Sequence, residues 1–312
     1  MKALLINKPE DLQIIDVEKP EPANNEVLVK VEAVSLCNQH DIKVWTGGYK
    51  RLQYLEYGIP GFPGHEGSGS VVKTGSKVTS LQEGDRVVMS GLGGPPLYQE
   101  YVTREADQVV AFSSHLDFEE VAMAELLGCV HHGMQKIETW KDKTVLVSGM
   151  GPAGLGALQM AKALGAKRVI GTDINESRLK LGAELGADKT YDANLDDTLL
   201  HLQKETPEIV FESSGNSNAY RTSVSTAREA VIFFGYTEQE ICLDPYPIFD
   251  HELAIYGAKW LEVTDLKAVV EFIGQGKINS RRMVSEVLSF EDYITAIELV
   301  KNGRAIKVIM KP

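Results

Sequence analysis

The sequence predicts an α/β protein in which a β-rich, barrel-like part precedes a doubly wound parallel sheet. Three observations carry this. Roughly the first 120 residues break into short apolar, β-branched runs separated by Pro, Gly and Asn turns. From about Lys143 onward, strand and helix patterns alternate. At the junction lies Val145-Leu-Val-Ser-Gly-Met-Gly-Pro-Ala-Gly154, an apolar strand that runs into three glycines spaced G-x-G-x-x-G and then into an Ala-rich helix.

In the first part, strand-like runs fall at Glu26–Ser35, Ser68–Lys73, Asp85–Met89 and Gln99–Val102. A partly closed barrel is the natural arrangement, because closure hides strand edges. The pattern turns helical over Phe118–Ile137. In the second part, strands are expected near Val145, Val169, Lys189–Tyr191, Ile209–Glu212, Ala230–Gly235 and Leu253–Tyr256. Between them fall helices near Pro152–Leu164, Glu176–Leu185, Leu195–Gln203 and Ala219–Thr226. Helices near Leu266–Ile273 and Phe290–Lys301 and a closing strand Ile306–Met310 follow, and that strand is expected to return to the first part. The domains divide as 1–125 with 262–312, and 126–261.

The glycine stretch has a phosphate-binding logic. Gly149 permits a tight turn, Gly151 lets backbone approach a pyrophosphate, and Gly154 lets helix pack on strand. The helix starting at Pro152 and Ala153 points unpaired N–H groups at the phosphates, and Pro suits a first-turn position where its missing N–H costs nothing. The next strand ends in Asp173, at the distance where an acid takes both ribose hydroxyls of an adenosine.

Composition narrows the partners. The net charge of −12 argues against nonspecific nucleic-acid binding and against docking on anionic membrane. No apolar run approaches the roughly 20 residues of a membrane span, and the first residues lack the length and cleavage site of a signal peptide. Three cysteines without a C-x-x-C pair fit a reduced, cytoplasmic protein.

A second cluster, Gly61-Phe-Pro-Gly-His-Glu-Gly-Ser-Gly69, places His65 and Glu66 on a glycine-rich bend between strands. With Cys37 it offers a thiolate and an imidazole, two ligand types suited to zinc, and a catalytic zinc takes three protein ligands. For the third, Glu125 is an acid embedded in an apolar run, a costly placement unless paired or ligated. Cys129, four residues on, competes for the same role.

In order along the chain, Cys37, Gly64-His65-Glu66-Gly67, Gly84-Asp85-Arg86-Val87 and the Gly149-x-Gly-x-x-Gly154 loop resemble the zinc-containing medium-chain dehydrogenase/reductase family, over essentially the whole chain. The resemblance implies a GroES-like β-barrel catalytic domain, a Rossmann domain and an active site in the cleft between them. It implies a zinc acting on an alcohol or carbonyl oxygen while hydride passes to or from a nicotinamide. Position by position, Cys37 and His65 match two zinc ligands. Glu66 matches the neighbouring acid that exchanges into the metal's shell. Glu125 matches the third ligand of the polyol-dehydrogenase-like branch, where the alcohol dehydrogenase branch has Cys. Asp173 matches the acid that selects NAD by repelling the 2′-phosphate of NADP, with Arg178 close enough to keep NADP as a minor possibility. Lys307 matches a basic residue near the cofactor phosphates.

Two departures from the family pattern matter. The four cysteines of its structural zinc lobe have no counterpart in Met89-Ser-Gly-Leu-Gly-Gly-Pro-Pro96, so one catalytic zinc per subunit and no structural zinc is expected. The proton relay is also irregular. Against the common C-x-[S/T]-D-x-H, this chain reads Cys37-Asn-Gln-His-Asp-Ile-Lys43. With one extra residue, Asp41 takes the place of the acid that orients His65, His40 or Gln39 that of the hydroxyl, and Lys43 that of the distal histidine. His40 is the better acid–base candidate, because imidazole titrates near neutrality. Trp45, Tyr49, Tyr54 and Tyr57 are candidates for a substrate wall or for core. His131 and His132 fit core or surface roles better than a place lining the cleft, and the Lys50–Glu56 stretch reads as a local loop.

The expected function is hydride transfer between NAD and a secondary alcohol or ketone, with a polyol, sugar or amino alcohol as the expected substrate, by a homodimer or homotetramer. The alternatives are a zinc-free double-bond reductase of the same superfamily, or a dinucleotide-binding sensor without catalysis.

Overall fold

The computed structural model describes residues 1–49 and 57–312. The loop expected at Lys50–Glu56, with Tyr54, lies outside the described residues. The chain divides into two compact units: Met1–Leu126 with Leu266–Gly274 and Ser280–Pro312, and Leu127–Asp265 with Gln275–Asn279.

The first unit is built on the strand Glu26–Ser35. It pairs antiparallel with Glu66–Thr74 along one edge. On its other edge it is shared: Glu26 to Lys30 pair with Tyr101–Glu105, and Val34 and Ser35 pair with the C-terminal strand Lys307–Lys311. The sheet continues outward from Glu66–Thr74 to Arg86–Ser90 and Val109–Ala111, and beyond the C-terminal strand to Val284–Ser289. Val27, Val29 and Val31 on the shared strand pack with Val71, Val87, Met89, Tyr98 and Val102. This is the GroES-like barrel of the expectation, with the closing strand returned to it.

Several elements here had no sequence signal strong enough to name. The helix His40–Thr46 is only seven residues long and ends at Gly47 in the left-handed region (φ 66°). Asp11–Asp16 is an edge strand paired only with Lys2–Lys8 in a two-stranded sheet. Its residues are at most half-buried, so its apolar alternation is weak.

The second unit is a six-stranded parallel sheet in the order Lys189–Asp192, Arg168–Asp173, Thr144–Ser148, Ile209–Glu212, Ala230–Phe233, Ala254–Gly257. The chain winds outward from Thr144–Ser148 in one direction and then crosses back to Ile209–Glu212. That reversal makes a topological switch point, where doubly wound sheets bind ligands beyond the carboxyl ends of the strands. The central strands read as near-continuous apolar runs because helices cover both faces: Val145, Leu146, Val147, Val169, Ile170, Ile209, Val210 and Phe211 are all buried. The Rossmann alternation is therefore observed. One helix start moved: the helix expected from Leu195 begins at Thr198, whose hydroxyl donates to the Asp192 carbonyl. Among the described residues, no helix is long and apolar enough to cross a membrane.

The helix Pro152–Ala163 follows the first strand directly, with Pro at its first turn and Gly151 as its N-cap. A Cβ at position 154 would collide with the carbonyl oxygen of Gly149, whereas one at Gly151 would meet nothing within 4 Å. Gly154→Val should therefore destabilise the protein by about 3 kcal/mol, in the range of core overpacking. Gly151→Ala should stay within about 0.5 kcal/mol. Thermal and urea unfolding compare the two, and equal losses would contradict this packing.

Candidate metal and dinucleotide sites

Cys37 follows the end of the shared strand, and His65 stands at the start of the neighbouring one, beside Glu66. The antiparallel register brings them together: a Cys37 Sγ, a His65 ring nitrogen and a Glu66 carboxylate oxygen all lie within 4.8 Å of one another. Gly91 packs on this site, and a Cβ there would sit 2.7 Å from the Cβ of His65.

The orientation of His65 is set by a backbone group. Its Nδ1 lies 2.9 Å from the carbonyl oxygen of Pro63, which accepts the Nδ1 proton and turns Nε2 toward Cys37. Burial pulls the His65 pKa down. The hydrogen bond and charge of Cys37, with the charges of Glu125 and Glu66, outweigh it and hold the group well above its ordinary value. The pocket thus favours a positive charge at its centre. A thiolate, an imidazole and carboxylates around such a centre fit a divalent ion of the zinc type. Glu125, in the first turn of the helix Ala124–Met134, stands outside the compact trio but acts on His65 through its charge. Cys129 lies further along that helix and is partly buried.

Lys307 departs from the expected phosphate contact. It is fully buried, and its Nζ donates to both oxygens of Glu66 (2.7 and 3.0 Å) and to the carbonyl oxygen of Leu36 (2.7 Å). The reason is the strand pairing: Leu36 N–H bonds to Val308 O, which draws Lys307 under the Cys37–His65–Glu66 cluster. All three ammonium protons are engaged there, so Lys307 is a counter-ion of the Glu66 carboxylate.

Asp41 also departs from expectation. It does not hydrogen-bond His65, whose Nδ1 is taken by Pro63. Its Oδ1 accepts the hydroxyls of Tyr98 (2.5 Å) and Tyr293 (3.0 Å), and its Oδ2 accepts Cys37 N–H (3.1 Å). Burial raises its pKa, against the charge of His65 and the two tyrosine hydroxyls. Asp41 therefore orients the cysteine loop rather than the imidazole. Neither tyrosine had a recognisable motif in the sequence; Tyr98 follows Pro95-Pro-Leu97 and Tyr293 opens a helix about 250 residues from Asp41.

His40 lies against His65, edge to face at 5.2 Å, and its Nδ1 is 2.8 Å from the hydroxyl of Tyr49. Burial and the charge of His65 push its pKa down to about 3, so the imidazole is neutral at physiological pH. Gln39 caps the helix His40–Thr46 from the outside without a side-chain cap bond. Lys43 Nζ sits over the Tyr49 ring at 5.1 Å. Trp45, Tyr49 and Tyr57 pack against the barrel core. His131 and His132 both bond Asp265 through Nδ1, at 2.7 and 3.1 Å, and so anchor one carboxylate.

In the second unit, Gly149 has φ +90°, the left-handed region. The helix after it carries no side-chain cap at Gly151, so the N–H groups of Ala153 and Gly154 are presented at the helix start. Asp173 closes the next strand. One carboxylate oxygen accepts Met150 N–H (2.7 Å), the other Asn175 N–H (2.9 Å), and Arg178 Nη1 lies 3.9 Å away. The acid is thereby tied to the glycine loop, with lone pairs left for ribose hydroxyls.

Comparison with known proteins gives the family. A family model described as "Alcohol dehydrogenase GroES-like domain" matches residues 23–114, and one described as "Zinc-binding dehydrogenase" matches 152–275. A sorbitol dehydrogenase of Bacillus subtilis (strain 168) is 27% identical over 347 residues, covering 100% of this chain and 97% of the relative. A D-arabitol-phosphate dehydrogenase of Enterococcus avium is 28% identical, covering 97% and 94%. The crystal structure of 2R,3R-butanediol dehydrogenase from Bacillus subtilis superimposes with a TM-score of 0.90 at 21% identity, over 100% of this chain and 99% of that one, and so shares the fold. The chain belongs to the zinc-containing medium-chain dehydrogenase family and is an oxidoreductase.

The buried ion pair makes a prediction about stability. Lys307→Met leaves the Glu66 carboxylate buried without its partner and should cost about 3 to 5 kcal/mol in metal-free protein. The double variant Glu66→Leu/Lys307→Met should recover most of that loss, because an apolar pair of similar volume needs no counter-charge. Urea denaturation of the three proteins measures it; a double variant as unstable as the single one would contradict the pairing.

Proposed function

We propose that this protein is a zinc- and NAD-dependent polyol or sugar dehydrogenase, oxidising a secondary alcohol to a ketone. The observation that carries the reading is the convergence of Cys37, His65 and Glu66 on one point beside Glu125. The names of the sorbitol and arabitol-phosphate dehydrogenases among its relatives support the substrate class.

Cys37, His65 and Glu125 would hold one zinc, and Glu66, braced by Lys307, would serve as the exchangeable acid. Cys129 is the alternative to Glu125. Bound there, zinc supplies Lewis acidity toward the substrate oxygen, and NAD supplies the hydride acceptor. The protein's own groups do the positioning. Pro63 aims Nε2 of His65 inward, and Asp41 fixes the Cys37 loop. His40 does not titrate near neutrality in this setting, since burial and the charge of His65 keep its ring neutral. With Tyr49 behind it, His40 could pass the alcohol proton only by accepting at one ring nitrogen as it gives from the other. The N–H groups of Gly151, Ala153 and Gly154 receive the pyrophosphate, with Pro152 pre-shaping the turn, and Asp173 receives the adenosine ribose. The unit Met1–Leu126 with Leu266–Gly274 and Ser280–Pro312, close to the expected 1–125 with 262–312, serves as the catalytic domain, and Leu127–Asp265 with Gln275–Asn279 as the NAD-binding domain.

No second zinc is part of this reading, since residues 89–96 contain no cysteine. The three cysteines are free thiols, which suits the cytoplasm. A homodimer or homotetramer would pair through the sheet's end strand Ala254–Gly257, near exposed Phe249 and Trp260.

NAD-linked oxidation of a panel of hexitols, pentitols and their phosphates, against primary alcohols, tests the reading. Polyols should exceed primary alcohols in kcat/KM. Asp173→Ser should cut the preference for NAD over NADP by about tenfold or more, the size of one charge-assisted contact. Oxidation of primary alcohols with polyols inert, or a wild-type preference for NADP, would contradict it.

A further inference from the structure

Three strand ends meet at the switch point, and one carboxylate lies among them. Glu212, the last residue of Ile209–Glu212, is the register partner of Ser148 on one side and Phe233 on the other. It is fully buried. Its carboxylate turns back on its own chain. Oε1 accepts Ser214 N–H (2.8 Å), Gly215 N–H (3.1 Å) and the Ser214 hydroxyl. The carboxylate thereby closes the turn Ser213-Ser214-Gly215, with Gly215 at φ +71°.

The turn packs on its neighbours at backbone distance. A Cβ on Gly149 would lie 3.0 Å from Ser214 N, and one on Gly235 would lie 2.8 Å from Oε2 of Glu212. Tyr220, on the helix Ser217–Thr226, is the other titratable group facing Glu212, and its hydroxyl donates to the Gly235 carbonyl. Held this way, Ser213 Oγ sits 3.0 Å from the carbonyl oxygens of both Ser148 and Gly149. The Gly149 carbonyl is also the group against which Gly154 packs. Its position therefore sets the spacing between the first and third glycines of the loop.

We propose that Glu212 and Ser213 act as one positioning device for the dinucleotide: the carboxylate shapes the turn, and the Ser213 hydroxyl locks the Gly149 carbonyl so that the helix-start N–H groups face the pyrophosphate. The inference rests on the NAD reading above. Neither residue needs to touch the cofactor for it to hold. Burial pushes the Glu212 carboxyl up to about 7 despite the donors from Ser214 and Gly215. An apolar residue would end a buried strand without that desolvation, but it would give the turn no acceptor.

The test is the dissociation constant for NADH, by fluorescence titration at pH 8, of wild type, Ser213→Ala, Ser213→Thr, Glu212→Gln and the double variant Glu212→Gln/Ser213→Ala. Ser213→Ala should weaken NADH binding roughly tenfold, the size of one hydrogen bond. Ser213→Thr keeps the hydroxyl and should stay near wild type. The double variant should be no weaker than Ser213→Ala alone, since both changes break one linkage. With saturating NAD, kcat should be retained in Ser213→Ala. Additive losses, or Ser213→Thr as weak as Ser213→Ala, would overturn the device, and the serine pair decides it even where Glu212→Gln fails to fold. Wild type that binds no NADH would overturn the cofactor reading instead.

Discussion

The C-terminal strand is the constraint on which the metal site depends. By pairing with Val34 and Ser35 and bonding through Leu36 N–H, it buries Lys307 beneath Glu66. A fully desolvated ammonium and carboxylate are tolerable only together, so the last residues of the chain and the His65-Glu66 bend must fold as one piece. That pairing also fixes where Cys37 leaves its strand. The geometry of the Cys37–His65–Glu66 cluster is thus a consequence of sheet register.

A surplus of negative charge beside His65 is the other half of the design. Cys37, Glu66 and Glu125 together outweigh the cost of burying a charged imidazole. Around that centre the Pro63 carbonyl holds the ring, Asp41 with its two tyrosines holds the cysteine loop, and Lys307 holds Glu66. The Pro63 carbonyl holds Nδ1 and turns Nε2 of His65 toward Cys37, the orientation that a metal-ligating histidine needs.

Much of this was legible in the amino-acid sequence, for reasons of spacing. The parallel sheet was readable because its strands are buried on both faces and its helices have regular caps and apolar stripes. The Cys37 and His65-Glu66 pairing was readable through motif order. Its partners were not, because they come from strand register and not from local pattern. Lys307 matched a base near the cofactor phosphates and is instead 0% exposed, beneath Glu66. Tyr293 reaches Asp41 from the far end of the chain. Glu212 looked like an ordinary strand end, and only the packing of three strand termini shows what its carboxylate holds. The short helix at His40 escaped detection because seven residues carry less than two full periods.

The most direct test of the central claim is the absorption spectrum of cobalt-substituted protein. A thiolate-to-cobalt charge-transfer band at one equivalent of metal, lost in Cys37→Ser and kept in Cys129→Ser, is the result this account predicts. Cobalt bound without that band, or a band that depends on Cys129 instead, would contradict it.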